Sequence, residues 1–197
     1  MRIVIVGHGP SLKDKGLGGY IDSFDRVVRL KGCYSVVKTP DYGSSTDAVC
    51  ASTEVMGTFF KIEAQEYWAY PKKGFFDENT VIDAIARLEK PVLLPLNYCN
   101  YWNRRFRQTG ACHPNVSTGM AAVLIAIKRW SPKEIHLAGF DAMLNPGLAF
   151  DRNPEIPRTG AGEYPNHDWK KENELLTVLS DIYRVKILPM TGSLSAA

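Results

Sequence analysis

Ile3-Val4-Ile5-Val6-Gly7-His8-Gly9-Pro10-Ser11-Leu12 decides the fold class of this chain. A short, unbroken apolar run ending at glycine is how a central parallel strand reads when both its faces are covered. Outward from it, the same kind of run recurs at residues 26–30, 46–51, 66–70, 91–96, 134–137 and 185–188, and each is an expected strand. Between them lie segments with helical spacing. Residues 78–88 place Val81, Ile82, Ile85 and Leu88 on one face. Residues 117–130 read as the clearest helix, with Met120, Val123, Leu124 and Ile127 toward the core, and residues 168–183 as the last one. Strands alternating with helices predict a single Rossmann-like α/β/α sandwich around a mostly parallel sheet. Right-handed crossovers in such a sheet put ligands at the carboxyl ends of the strands.

One domain is expected over residues 1–190, with residues 191–197 a flexible tail. Residues 145–166 carry Pro146, Pro154, Pro157 and Pro165. A loop this long and this rich in breakers is expected to act as a lid. The 45% hydrophobic and 23% charged content is that of an ordinary globular chain, which excludes a disordered or fibrous one. A net charge of +3 does not call for nucleic acid, and an anionic ligand such as a nucleotide suits it equally well. The cysteines, Cys33, Cys50, Cys99 and Cys112, include no C-x-x-C spacing, so neither a zinc knuckle nor a thioredoxin-like motif is present. The first residues run straight into a strand, which leaves no room for a signal peptide. No apolar run approaches the roughly 18 residues that span a bilayer. A cytoplasmic protein with free thiols and no stable membrane anchor is expected.

Four segments could carry chemistry. Gly7-His8-Gly9-Pro10-Ser11 follows the first strand, where glycines let the backbone approach a phosphate or a ribose. It is not the dinucleotide fingerprint G-x-G-x-x-G, because position 12 is leucine and Pro10 interrupts the turn into a helix. Asp22 and Asp25 flank the start of the second strand, and Arg29 follows two valines; on these residues alone, Arg29 and Asp25 read as a surface ion pair. Ser117-Thr118-Gly119-Met120 opens the clearest helix, so Ser117 is an expected N-cap, and the same geometry makes an anion site. His167-Asp168-Trp169-Lys170-Lys171-Glu172 opens the last helix, where a histidine is placed to act as an exposed base. His136 sits inside a strand pattern and reads as structural. Tyr98, Tyr101, Trp102, Arg104, Arg105 and Arg107 form a basic-aromatic segment. It reads first as an amphipathic helix with a solvated basic face, and otherwise as a surface for a glycan, an anionic headgroup or nucleic acid.

Taken together, these segments resemble the sialyltransferases, both the animal type (glycosyltransferase family 29) and the bacterial type (family 42). Their large motif is similar to Ile5-Val6-Gly7-His8-Gly9-Pro10-Ser11-Leu12 through Ile21-Asp22-Ser23-Phe24-Asp25, Val28-Arg29-Leu30-Lys31 and Asp41-Tyr42-Gly43-Ser44-Ser45-Thr46. The small motif is similar to His113-Pro114-Asn115-Val116-Ser117-Thr118-Gly119-Met120 through Glu134-Ile135-His136-Leu137-Ala138-Gly139-Phe140. A histidine followed by a glutamate, their very small motif, resembles His167 through Glu172. The three come in the right order and cover about half the chain. Departures are specific: His8 and Lys31 stand where the family usually has asparagines that contact the donor. No histidine lies between Gly139 and His167 to hold the leaving phosphate, which leaves Tyr164, then Arg158, as substitutes.

The resemblance implies an inverting transfer of sialic acid or a related sugar from a CMP-sugar co-substrate to an acceptor hydroxyl, with no other cofactor. His167 and Glu172 are then the catalytic residues. Gly7, His8, Gly9, Pro10, Ser11, Arg29, Lys31, Ser52, Ser117, Thr118, Gly119, Gly139, Phe140 and Tyr164 are expected around the donor, with Gly139 and Phe140 against the nucleoside. No Asp-x-Asp pair occurs in the chain, so no metal site is expected. A glycan or glycolipid is the expected acceptor. The alternatives are transfer of a different sugar to a glycolipid or a modified nucleic-acid base, and a non-catalytic nucleotide-binding module.

Overall fold

The computed structural model describes residues 1–7, 9–31, 39–52, 64–70, 91–93, 117–141 and 169–190. In chain order these form β1 (Arg2–Val6), a 3₁₀ turn (Pro10–Leu12), α1 (Gly18–Asp22), β2 (Arg26–Leu30), β3 (Ala48–Ser52), β4 (Glu66–Tyr70), β5 (Pro91–Leu93), α2 (Thr118–Trp130), β6 (Glu134–Ala138), α3 (Trp169–Tyr183) and β7 (Lys186–Pro189). The strands make one sheet in the order β5-β4-β3-β2-β1-β6-β7. Every pairing between them is parallel. That is the α/β sandwich the alternation of elements predicts. The expected helix at residues 78–88 and the expected lid at residues 145–166 lie outside the described residues.

β1 is central because its residues have nowhere polar to face. Ile3, Val4, Ile5 and Val6 are wholly buried, as are Val27 and Val28 of β2 beside them. Burial on α2 goes beyond the expected stripe of Met120, Val123, Leu124 and Ile127: Ala121, Ala122, Ile125 and Ala126 are buried too. The helix lies on β1 to β4 and is flanked by α3, so more than one face is covered. Its ends are marked in the sequence. The Ser117 side chain accepts the Met120 N–H at the start, and Ser131, in the left-handed region at φ 45°, stops the helix after Lys128 and Arg129.

The strand order reverses direction at β1. From β1 the chain steps to β2 on one side, while β6 on the other side leads on to β7. With right-handed crossovers, α1 and α3 then cover opposite faces, and a crevice is expected at the carboxyl ends of β1 and β6. Among the described residues no helix is long and apolar enough to cross a membrane.

Candidate functional site

At the carboxyl ends of β1 and β6 the crevice is closed at its base by main chain. Gly7 N–H donates to the Ala138 carbonyl at 2.7 Å, and Gly9 N–H donates to the Gly139 carbonyl at 2.8 Å. Gly139 has φ +67°, a conformation that side chains with a Cβ rarely adopt. The Phe140 ring is 6% exposed and fills the space beside two other glycines. A Cβ on Gly119 would lie 2.6 Å from this ring, and one on Gly7 would lie 3.1 Å from it and 2.6 Å from the Gly139 carbonyl oxygen. Gly7, Gly119 and Phe140, far apart in sequence, therefore meet at one aromatic ring. Phe140 is a buried wedge that sets their spacing.

The start of α2 is held from α3. Glu172 is fully buried, and its carboxylate accepts the Ser117 N–H at 2.8 Å and the Ser117 hydroxyl at 2.5 Å. Ser117 Oγ in turn accepts the Met120 N–H at 3.2 Å. A buried carboxylate with two donors at a helix start is a charge-assisted clamp aligned with the helix dipole. The sequence pairs Glu172 with His167 as catalytic; in the structure its oxygens accept from Ser117, so Glu172 positions the start of α2. Cys50, in the middle of β3, lies beneath with its thiol 4.0 Å from the Thr118 carbonyl. Burial pushes that thiol up from its ordinary value, which disfavours the thiolate.

Arg29 also departs from its expected part. It is fully buried, not a surface partner of Asp25, which accepts the Arg2 N–H instead. Its Nε donates to the Ser45 carbonyl and to Thr46 Oγ1, and Nη2 donates to the carbonyls of Tyr42 and Ser45 at 2.9 and 2.8 Å. Those bonds hold the loop before β3. Two carboxylates brace the same region. Asp41 accepts N–H groups from Asp14, Lys15 and Gly16, and Asp22 accepts those of Ser44 and Ser45 together with the Ser44 hydroxyl. Burial works against ionisation of both, yet these donors outweigh it and hold both carboxyls below the ordinary 3.8.

Of the other expected donor residues, Pro10 and Ser11 lie in the turn after β1. Lys31 follows β2, its N–H on the Cys50 carbonyl at 3.0 Å, and Ser52 is buried at the end of β3. All stand on the carboxyl edge of the sheet, as do Thr118 and Gly119 at the start of α2. His8, His113, Arg158, Tyr164 and His167 lie outside the described residues, as does the basic-aromatic segment at 98–107. His136 reads as the sequence suggests: its ring lies edge-on to Phe24 at 4.7 Å, and burial lowers its pKa.

The sequence reading passed over Asp141. Its Oδ2 accepts the Ser11 N–H at 3.0 Å, and it lines a cavity of ≈ 610 Å³ that runs from Ser11 and Phe140 to Asn173 and Thr177 of α3. One signal could have found it: an acid set directly after the glycine that ends a strand, on the edge where ligands bind.

No protein-family model matches the chain, and no curated protein matches it either. Solved structures do. The chain is similar to a mammalian sialyltransferase at TM-score 0.59 and 19% identity, over 94% of this chain and 68% of that one. It is also similar to a mammalian sialyltransferase in complex with Gal-beta-1-3GalNAc-ortho-nitrophenol, at TM-score 0.55 and 19% identity over the same shares of the two chains. The fold is therefore sialyltransferase-like.

Proposed function

We propose that the chain is a metal-independent, inverting glycosyltransferase that moves sialic acid or a related sugar from a CMP-activated donor to the hydroxyl of a glycan or glycolipid. The observation that carries this reading is the junction at Phe140. Gly7, Gly119 and Phe140 come from the segments that bear the large-motif and small-motif likeness, and they meet at the switch point of a sialyltransferase-like fold. Glu172, from the segment resembling the very small motif, reaches Ser117 at the same place.

In the reaction the acceptor oxygen attacks the anomeric carbon while its proton passes to the imidazole of His167. The bond from that carbon to the phosphate oxygen breaks, and its electron pair leaves on CMP. The negative charge building there is met by Lys31, Tyr164 and the helix start at residues 117–119. Glu172 keeps that helix start in place. Metal independence is supported by the absence of an Asp-x-Asp pair and by the modest charge of a monophosphate leaving group.

Thermal unfolding with CMP, UDP, GDP and NAD tests this reading. CMP alone should stabilise the protein, by about 2.7 kcal/mol at a hundred times its Kd. Stabilisation by UDP or NAD alone would sink the donor assignment. His167→Ala should keep the CMP response and lower turnover by about 10²-fold or more.

A further inference from the structure

Asp141 has no part in the transfer as described above, yet it occupies the mouth of the crevice. It is 9% exposed. Its carboxylate lies so close over Gly9 that a Cβ on that glycine would collide with Oδ2. Oδ2 accepts the Ser11 N–H. Oδ1 has no hydrogen-bond donor among the described residues, while the side chain lines the cavity beside Gly139 and Phe140. A group bound in that cavity could pair with the open oxygen only as a donor, since an ionised carboxylate can only accept.

The sign of the charge limits what that donor can be. A phosphate is repelled by a carboxylate, and the one N–H it could have used at Ser11 is already on Asp141. The phosphate therefore belongs away from Asp141, at the start of α2 against the Phe140 ring, where the helix dipole favours it. The group left facing Asp141 is the neutral part of a nucleotide next to its phosphate, the ribose. Dinucleotide-binding sheets hold a ribose diol with an acid after the second strand. Here β2 runs into Leu30 and Lys31 and offers no acid. The acid comes instead from β6, the neighbour of β1 on its other side.

We propose that Asp141 is a specificity-determining residue that anchors the ribose of the donor nucleotide, with Oδ1 accepting a hydrogen bond from the 2′- or 3′-hydroxyl. The inference rests on the nucleotide-sugar reading above and adds that the site recognises a hydroxyl of the donor's ribose.

Calorimetric titration of the full chain with CMP, 2′-deoxy-CMP and 3′-deoxy-CMP tests it. Wild type should bind CMP about tenfold more tightly than at least one deoxy analogue, as expected for a lost hydrogen bond to a charged group. Asp141→Asn keeps an acceptor for Ser11, so the loop should hold, and an unchanged unfolding midpoint checks that. In this variant CMP should bind about tenfold more weakly and that analogue about as before, so that the preference collapses. Asp141→Ser should lose the preference likewise. The inference is overturned if the variants keep it, or if they weaken CMP and both analogues equally, as a purely structural cap on Ser11 would. If wild type binds another ribonucleotide and not CMP, the donor assignment fails, and the same ribose-against-deoxyribose comparison with that nucleotide decides Asp141. If wild type binds no nucleotide, both readings fall.

Discussion

Two walls of the molecule are held by different forces. Where β1 and β6 end, the loops are joined by main chain: two N–H···O bonds and glycines packed on one phenyl ring. On the approach to β3, residues 13–16 and 42–46 are held by side chains: the carboxylates of Asp22 and Asp41 and the guanidinium of Arg29. Main-chain bonds have no protonation state, so the contacts that join the first wall do not titrate, but its glycines tolerate not even a methyl group. The second wall accepts changes of size but depends on ionised groups.

The largest effects should come from attacking the glycine wall. Gly119→Ala puts a Cβ into the Phe140 ring, which cannot swing aside because Gly7 backs it. A loss of about 2–3 kcal/mol is expected in urea unfolding. Phe140→Leu in the same chain should recover part of it, with a coupling of at least about 1 kcal/mol. Simply additive costs would show that the ring does not join these segments.

Glu172→Gln should come next. It removes the charge from the clamp while keeping its shape, at an expected cost of about 1–2 kcal/mol. Ser117→Ala in that background should cost less than in wild type, because the two residues share the same bonds. Equal costs in both backgrounds would argue against the clamp.

The smallest effect at neutral pH is expected at the ionic wall, and it should grow with acid. The folded pKa values of Asp22 and Asp41 are lowered from 3.8, so their contribution is complete above that value and is lost as pH falls through the folded values. Between these limits the unfolded chain binds more protons, and stability must rise with pH. Wild-type Tm should therefore drop as pH falls below about 4. The double variant Asp22→Asn, Asp41→Asn should show a flatter profile. An unchanged slope would move the titrating groups elsewhere.

Much of the framework is legible in the sequence. The strands at Arg26–Leu30 and Glu66–Tyr70 and the helix capped by Ser117 match their expected bounds, because valine and aromatic runs and cap residues act over a few neighbours. α1 is not legible. It contains Gly18-Gly19, which disfavour a helix, and it stands because Gly18 lets the backbone of residues 40–43 come close. In the site, the glycine segments are legible as places where backbone approaches something. The roles of Asp141 and Glu172 are not, because their partners are 130 and 55 residues away.

The sequence by itself determined the order of the strands and of the longer helices and the parallel sheet. Those follow from periodicity and chain direction, which are local properties. Only the tertiary structure decided which of the chemically capable residues support the site and which face it. Arg29 and Glu172 look like ligand groups in the sequence and are buried holding neighbouring segments in place, while Asp141 attracts no notice there and lies against the cavity. The physical reason is that a charged side chain inside a protein must find its partner, and the chain brings that partner from a distant segment only when the sheet forms.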